Sequence, residues 1–368
     1  MNRLLSPSWV MLVTLLSLKL GCSRKEPAPE PVESSAAPEA RPTAAQVVVS
    51  PKSPVDLGTM NIPPDNPQSD AKVELGHQLF FDKRLSVDGS RACYSCHRNE
   101  DGTGGHDPTA IGAKGKKLPR HSPVLWNVGY LPRLYWDGRA DSLEKQALGA
   151  WGGGNMGVGK DHLQAKAQQI AKIAKYQEQF SQVFGKEGVS PTTIVKAIAA
   201  YERTLVCDDT AYDRYDKGDQ KALSDQQKRG LALFTGEAAC STCHTPPFFS
   251  LAYKASEGAY FNTGVGTQGK PESDVDVGRM DVTQRASDWA AFKVPTLRNV
   301  SRSAPYFHDG SVVTLEQAVR FMAGGGAPNK NRSSLLADRK LNEQEIRDLV
   351  AFLGALDCPG KLEEPKRQ

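Results

Sequence analysis

Cys93-Tyr94-Ser95-Cys96-His97 and Cys240-Ser241-Thr242-Cys243-His244 decide how the chain is read. Two thiols separated by two residues can each add to one vinyl group of a haem, and the adjacent histidine then lies beneath the iron as its axial ligand. One copy would also fit half of a zinc site. Two copies favour haem, because each follows the same Gly-x-x-Leu-Phe pattern, Gly76-His77-Gln78-Leu79-Phe80 and Gly230-Leu231-Ala232-Leu233-Phe234. Such an internal repeat indicates two related units. The expected cofactors are two covalently bound haem c groups. Cys93, Cys96 and His97 hold one; Cys240, Cys243 and His244 hold the other.

Outward from the motifs, the sequence reads as helix. Residues 163–184 carry Ile170, Ile173, Phe180 and Phe184 in a helical pattern. Residues 191–206 open with Ser190 as N-cap and Pro191 in the first turn, and Ser224 with Gln227 suits a capping box before the second motif. Residues 341–356 place Ile346, Leu349, Val350 and Leu353 on one face. Strand signals are scarce. The Gly-rich stretches 152–159 and 324–326 and the acidic stretch 272–281 read as loops. The expected fold is mainly α, with two cytochrome c-like haem domains and long loops, over 56–217 and 218–362, after a disordered N-terminal tether.

Residues 1–21 read as a signal peptide of lipoprotein type: Arg3 precedes an apolar run too short to span a bilayer. The run ends at Leu20-Gly21-Cys22-Ser23, with Lys19 an imperfect match to a lipoprotein box. Cys22 is therefore the expected lipid attachment point, and the periplasm the expected compartment. Residues 22–55, rich in Pro, Glu, Ala and Ser, read as a disordered linker. No later segment is apolar enough to cross a membrane, so membrane contact is expected only through that anchor. A net charge of +4 and 7% aromatic residues give no basis for a nucleic-acid partner. Cys207 and Cys358 belong to no motif and suit either a disulfide or two buried thiols.

From about Asp70 onward the sequence resembles the bacterial dihaem cytochrome c peroxidases. The resemblance rests on Glu74-Leu75-Gly76, Leu79-Phe80-Phe81-Asp82, both haem motifs and Tyr135-Trp136-Asp137-Gly138-Arg139. It continues through Phe292-Lys293-Val294-Pro295-Thr296-Leu297-Arg298-Asn299-Val300 and Ala304-Pro305-Tyr306-Phe307-His308-Asp309-Gly310, in the family's order. It implies an enzyme that reduces hydrogen peroxide to water, draws one electron from each haem, and is recharged by a small periplasmic electron-donor protein. His97 would hold the low-potential, peroxide-binding haem and His244 the high-potential one. Met322 would be the second axial ligand opposite His244, with Met280 as its rival. Trp136 would bridge the two haems. His308 would be either a group near Met322 or a hydrogen-bonded core histidine. A homodimer is left open.

Three positions depart from the family pattern. Ala113 stands where many members carry a histidine that caps the peroxidatic iron, so the N-terminal site is expected to stay open even when oxidised. Asn155 replaces the distal carboxylate. An amide can donate a hydrogen bond but cannot carry the proton that O–O cleavage moves, and His106 is the candidate to take over. The family's interdomain calcium uses an asparagine where this chain has His121, in Arg120-His121-Ser122-Pro123. Calcium prefers oxygen ligands, which leaves backbone oxygens near Ser303 and Pro305 and makes this ion a doubtful cofactor. Two other readings remain. One is a dihaem oxidase of the methylamine-utilisation type, acting on a protein substrate; Met322 opposes it, since that type has a tyrosine there. The other is a non-catalytic electron carrier or redox sensor, which Asn155 supports.

Overall fold

The computed structural model describes residues 56–366. The signal peptide, Cys22 and the linker lie outside the described residues. In chain order the helices are α1 (Asp70–Phe81), α2 (Leu143–Gly152), α3 (Leu163–Ala171), α4 (Ala174–Phe184), α5 (Pro191–Glu202), α6 (Ala211–Asp216) and α7 (Asp225–Thr235). A two-stranded antiparallel ribbon of β1 (Tyr260–Phe261) and β2 (Phe292–Lys293) encloses α8 (Met280–Thr283). α9 (Leu315–Ala323) and α10 (Glu343–Gly354) complete the set. The fold is mainly helical, as expected. Among the described residues no helix is long and apolar enough to cross a membrane.

Two helix crossings organise the molecule: α1 packs on α5, and α7 on α10. At each crossing a glycine faces its partner's backbone. A Cβ on Gly76 would lie 1.9 Å from the carbonyl oxygen of Ala197, and one on Gly230 would lie 2.0 Å from that of Asp348. No other residue permits that approach. Leu75, Leu79, Phe80, Ile194 and Ile198 close the first core, and Phe234, Phe249, Leu349 and Phe352 the second. The expected caps form: Ser190 with Thr193 and Pro191 at the start of α5, and Ser224 with Gln227 at the start of α7.

Three expected helices are shorter than their sequence patterns, the 341–356 pattern giving Glu343–Gly354. The 163–184 pattern breaks at Lys172 and Ile173, where Ile173 is extended (ψ 109°) and starts α4. The break re-aims the second half, so that Ile170 and Phe180 enter the same core. α5 stops at Glu202, because the next residues turn away to give the Leu205 carbonyl to the Asn127 N–H, at 2.7 Å.

The halves are interlocked across the expected division at 217/218. Ala211, Tyr212 and Tyr215 pack on the second core, whereas Cys358 and Leu362 belong to the first. Cys207 and Cys358 form a disulfide, with 5.6 Å between their Cα atoms. Beside it Arg298 is fully buried and makes a bidentate pair with Asp213, at 2.7 and 2.8 Å.

Overpacking a well-filled contact costs roughly 1–3 kcal/mol. Gly76→Ala and Gly230→Ala should each lose at least that much in urea unfolding of the haem-loaded protein, whereas Gly354→Ala, which has open space around it, should not. Converting both Cys207 and Cys358 to serine should cost roughly 2–5 kcal/mol, because it frees a long closed loop in the unfolded chain.

Candidate active site

Each crossing delivers its Cys-x-x-Cys-His motif on a single tight turn, Cys93–Ser95 and Cys240–Thr242. All four thiols are unpaired, although Cys207 and Cys358 are bridged. The two histidines are held alike. His97 Nδ1–H donates to the Thr103 carbonyl and His244 Nδ1–H to the Phe249 carbonyl, both at 2.9 Å. A carbonyl only accepts, so the proton sits on Nδ1 and the Nε2 lone pair is free for a metal. Thr103 and Phe249 reach these rings from left-handed backbone (φ 69° and 52°), a conformation costing about 1–3 kcal/mol for a non-glycine residue. Burial keeps both rings neutral, pushing His97 down to about 4 and His244 below its ordinary value. Two free thiols and one oriented imidazole, twice over, fit haem. Among the described residues no group of three or more His, Cys, Asp or Glu side chains is placed to hold an ion by itself.

A seam of buried and half-buried aromatic and charged side chains joins residues 120–137 to residues 276–308. Trp136 Nε1–H donates to the His121 carbonyl at 2.8 Å. The His121 N–H donates to the His308 carbonyl at 2.7 Å, and the Lys293 N–H to the Trp136 carbonyl at 2.8 Å. The His308 ring stacks on Phe292 at 3.6 Å and meets Trp136 edge-on at 6.4 Å. Arg120 pins the seam, contacting Asp137 at 2.5 Å and Asp276 at 2.6 and 2.7 Å. Burial opposes ionisation of Asp276, but Arg120 outweighs it and holds the carboxyl below its usual range. Burial also pushes His308 down to about 4 and the Lys293 ammonium down to about 8, against the pull of Asp137 on the lysine.

Residues 70–221 match the family model for di-haem cytochrome c peroxidase. Cytochrome-c peroxidase IdrP1 of Pseudomonas sp. (strain SCT) is 36% identical over 321 residues, covering 82% of this chain and 84% of that protein. The chain belongs to the di-haem cytochrome c peroxidase family. Methylamine utilization protein MauG of Methylorubrum extorquens is 33% identical over 296 residues, covering 80% of each chain. Among solved structures, a MauG-like protein associated with microbial copper homeostasis superposes with a TM-score of 0.76 at 31% identity, covering 86% of this chain and 96% of that one.

In this di-haem peroxidase the structure brings some of the expected site residues together. Trp136 sits in the seam. The Asn155 carbonyl accepts the Ala113 N–H at 3.0 Å, so the two departures from the family pattern are neighbours. Met322 is half-buried near the end of α9. Its rival Met280 packs against the cluster of Val275, Trp289 and Ala290. His308 is buried in the seam. His106 lies at the surface: its side chain is 70% exposed and its Nδ1 lies 3.2 Å from Asp101. It lines, with Cys96, Arg91 and Arg98, a cavity of about 110 Å³ at the first motif. His121 gives Nδ1–H to the Asp107 carbonyl at 3.0 Å, and its buried Nε2 has no partner. A nitrogen lone pair there does not suit calcium.

Sequence reasoning missed Glu202, at the end of α5. It is buried, its Oε2 has no hydrogen-bond partner, and its charge would act on the Cys93 thiol. Burial raises this carboxyl to about 8, against the pull of Arg203. The apolar run Ala197-Ile198-Ala199-Ala200 before it was the available signal. A raised folded pKa means the native state holds a proton that the unfolded state releases above pH 4.5. Stability from this group is therefore complete below that pH and is lost as pH rises through about 8. Glu202→Gln should match the wild type near pH 4 and exceed it at pH 8 by on the order of a few kcal/mol, read by denaturant unfolding.

Proposed function

We propose that this di-haem peroxidase works in the periplasm, tethered through a lipid on Cys22, and reduces hydrogen peroxide to water with electrons from a small periplasmic cytochrome c or copper protein. One observation carries the reading: α9 presents Met322 in the C-terminal half, whereas in the N-terminal half the position of the family's capping histidine is Ala113, which has no ligating atom. Strong ligands on both faces make an electron carrier, and a vacant face admits substrate.

In this reading Cys93 and Cys96, and Cys240 and Cys243, hold their groups by thioether bonds, making two haem domains. His97 and His244 would each hold one group through a ring nitrogen, and Met322 would add a sulfur ligand to the group held by His244. When bound, each haem supplies a reversible one-electron centre. One peroxide takes up two electrons and two protons to give two waters. Trp136, held by its bond to the His121 carbonyl, offers the short aromatic path between the halves. Asn155 has a side-chain amide free to donate to bound peroxide but unable to shuttle its proton. His106, in contact with solvent and with Asp101, is the group placed to relay protons from outside. Calcium has no part in the scheme.

Ala113 favours a second reading, oxidation of a protein side chain. One experiment separates the two. The half-reduced protein is mixed with peroxide and a reduced small cytochrome or copper protein, and donor oxidation is followed. Steady donor consumption is the expected result. A long-lived oxidised state without consumption would instead support the protein-oxidising reading. In the oxidised protein, electron paramagnetic resonance should show one high-spin and one low-spin haem, with no prior reduction needed for activity. Met322→Leu should turn the low-spin signal high-spin.

A further inference from the structure

Residues 120–154 and 292–326 are one local structure built twice, and they align without an insertion. Asn127 and Asn299 are both left-handed (φ 63° and 65°), and each accepts the N–H of one half-cystine, Cys207 at 2.8 Å and Cys358 at 2.7 Å. Tyr135 and Phe307 are both left-handed (φ 66° and 71°), inside matching isolated bridges, Leu134 with Ala140 and Tyr306 with Val312. Ser142 and Thr314 then cap α2 and α9, each accepting a backbone N–H at 3.2 Å. α2 packs on α5 as α9 packs on α10. In this register Trp136 corresponds to His308 and His121 to Lys293, which explains the reciprocal backbone bonds of the seam.

The same register puts Ala150 of α2 where α9 has Met322, and both are half-buried. We propose that Ala150 is the vacant counterpart of Met322: a methyl group in the seat from which the other half sends a thioether to its iron. The proposal rests on the reading of Met322 as a ligand and of the N-terminal site as open. Its surroundings agree. The Ala150 carbonyl accepts the Met156 N–H at 3.2 Å, which folds Asn155 back over the end of α2, and Asn155 in turn holds Ala113. Ala113, Ala150 and Asn155 thus gather at one place, and none carries an imidazole, thioether or carboxylate. Ala150 determines the specificity of the half it sits in. With a methyl group the site takes peroxide, and with a thioether it becomes a second electron-transfer site.

The test uses the full haem-loaded chain, with electron paramagnetic resonance and cyanide titration of the oxidised protein as readouts. Ala150→Met should replace the high-spin signal by a second low-spin one and weaken cyanide binding by at least about tenfold. Ala150→Leu, of similar bulk but without sulfur, should keep the high-spin signal while also binding cyanide more weakly. An Ala150→Met protein with the wild-type spectrum and unchanged cyanide affinity overturns the proposal. If Ala150→Met fails to load haem, unchanged cyanide affinity in Ala150→Leu overturns it as well. Two low-spin haems in the wild type would defeat the open-site reading itself, before any variant is made.

Discussion

The contact between α1 and α5 at Gly76, and its copy between α7 and α10 at Gly230, is the constraint from which the rest follows. Two helices that meet backbone to backbone have little freedom to slide or rotate, because the carbonyls of Ala197 and Asp348 occupy the space a side chain would need. The turn after α1 or α7 therefore emerges at a fixed place, and the two thiols and the histidine emerge with it. The remaining freedom is the rotation of the imidazole, which the Thr103 and Phe249 carbonyls remove. Ligand geometry is thus set by backbone, the arrangement a metal centre needs if its supporting shell is to orient it.

The second level of order is the seam. Its charges are buried or half-buried and paired, Arg120 with Asp137 and Asp276, and Arg298 with Asp213 nearby. Such pairs add little net stability against an apolar alternative, since desolvation offsets their attraction, but breaking one strands a buried charge. They fix how the two crossings face each other. The disulfide and the exchanged segments work to the same end, with α6 leaning on the second core and the tail returning to the first. Trp136, His308 and Phe292 consequently keep their spacing.

The duplicated segment shows how one framework serves two purposes. Caps, left-handed residues and asparagine clamps are alike in both copies, whereas Trp136 stands against His308, His121 against Lys293 and Ala150 against Met322. Function is grafted onto a common scaffold at positions the scaffold itself does not need.

Much of this was legible in the chain. The Cys-x-x-Cys-His spacing, the Ser190 and Ser224 caps and the apolar face of Ile346, Leu349 and Leu353 are local features, and local features survive in sequence because neighbours along the chain enforce them. The break at Ile173 was not legible, because a helical pattern continues through it and only the shared core of Ile170 and Phe180 demands the bend. Neither was the pairing of Cys207 with Cys358, nor the burial of Glu202. The correspondence of Ala150 with Met322 was written in the sequence, but the weak identity of the two segments conceals it until their shared hydrogen bonds set the register. By itself the sequence determined which atoms could bind a metal and which helices would carry them. Tertiary structure alone decided which of those atoms face one another, because burial, desolvation and cross-chain contact depend on residues far apart in the chain.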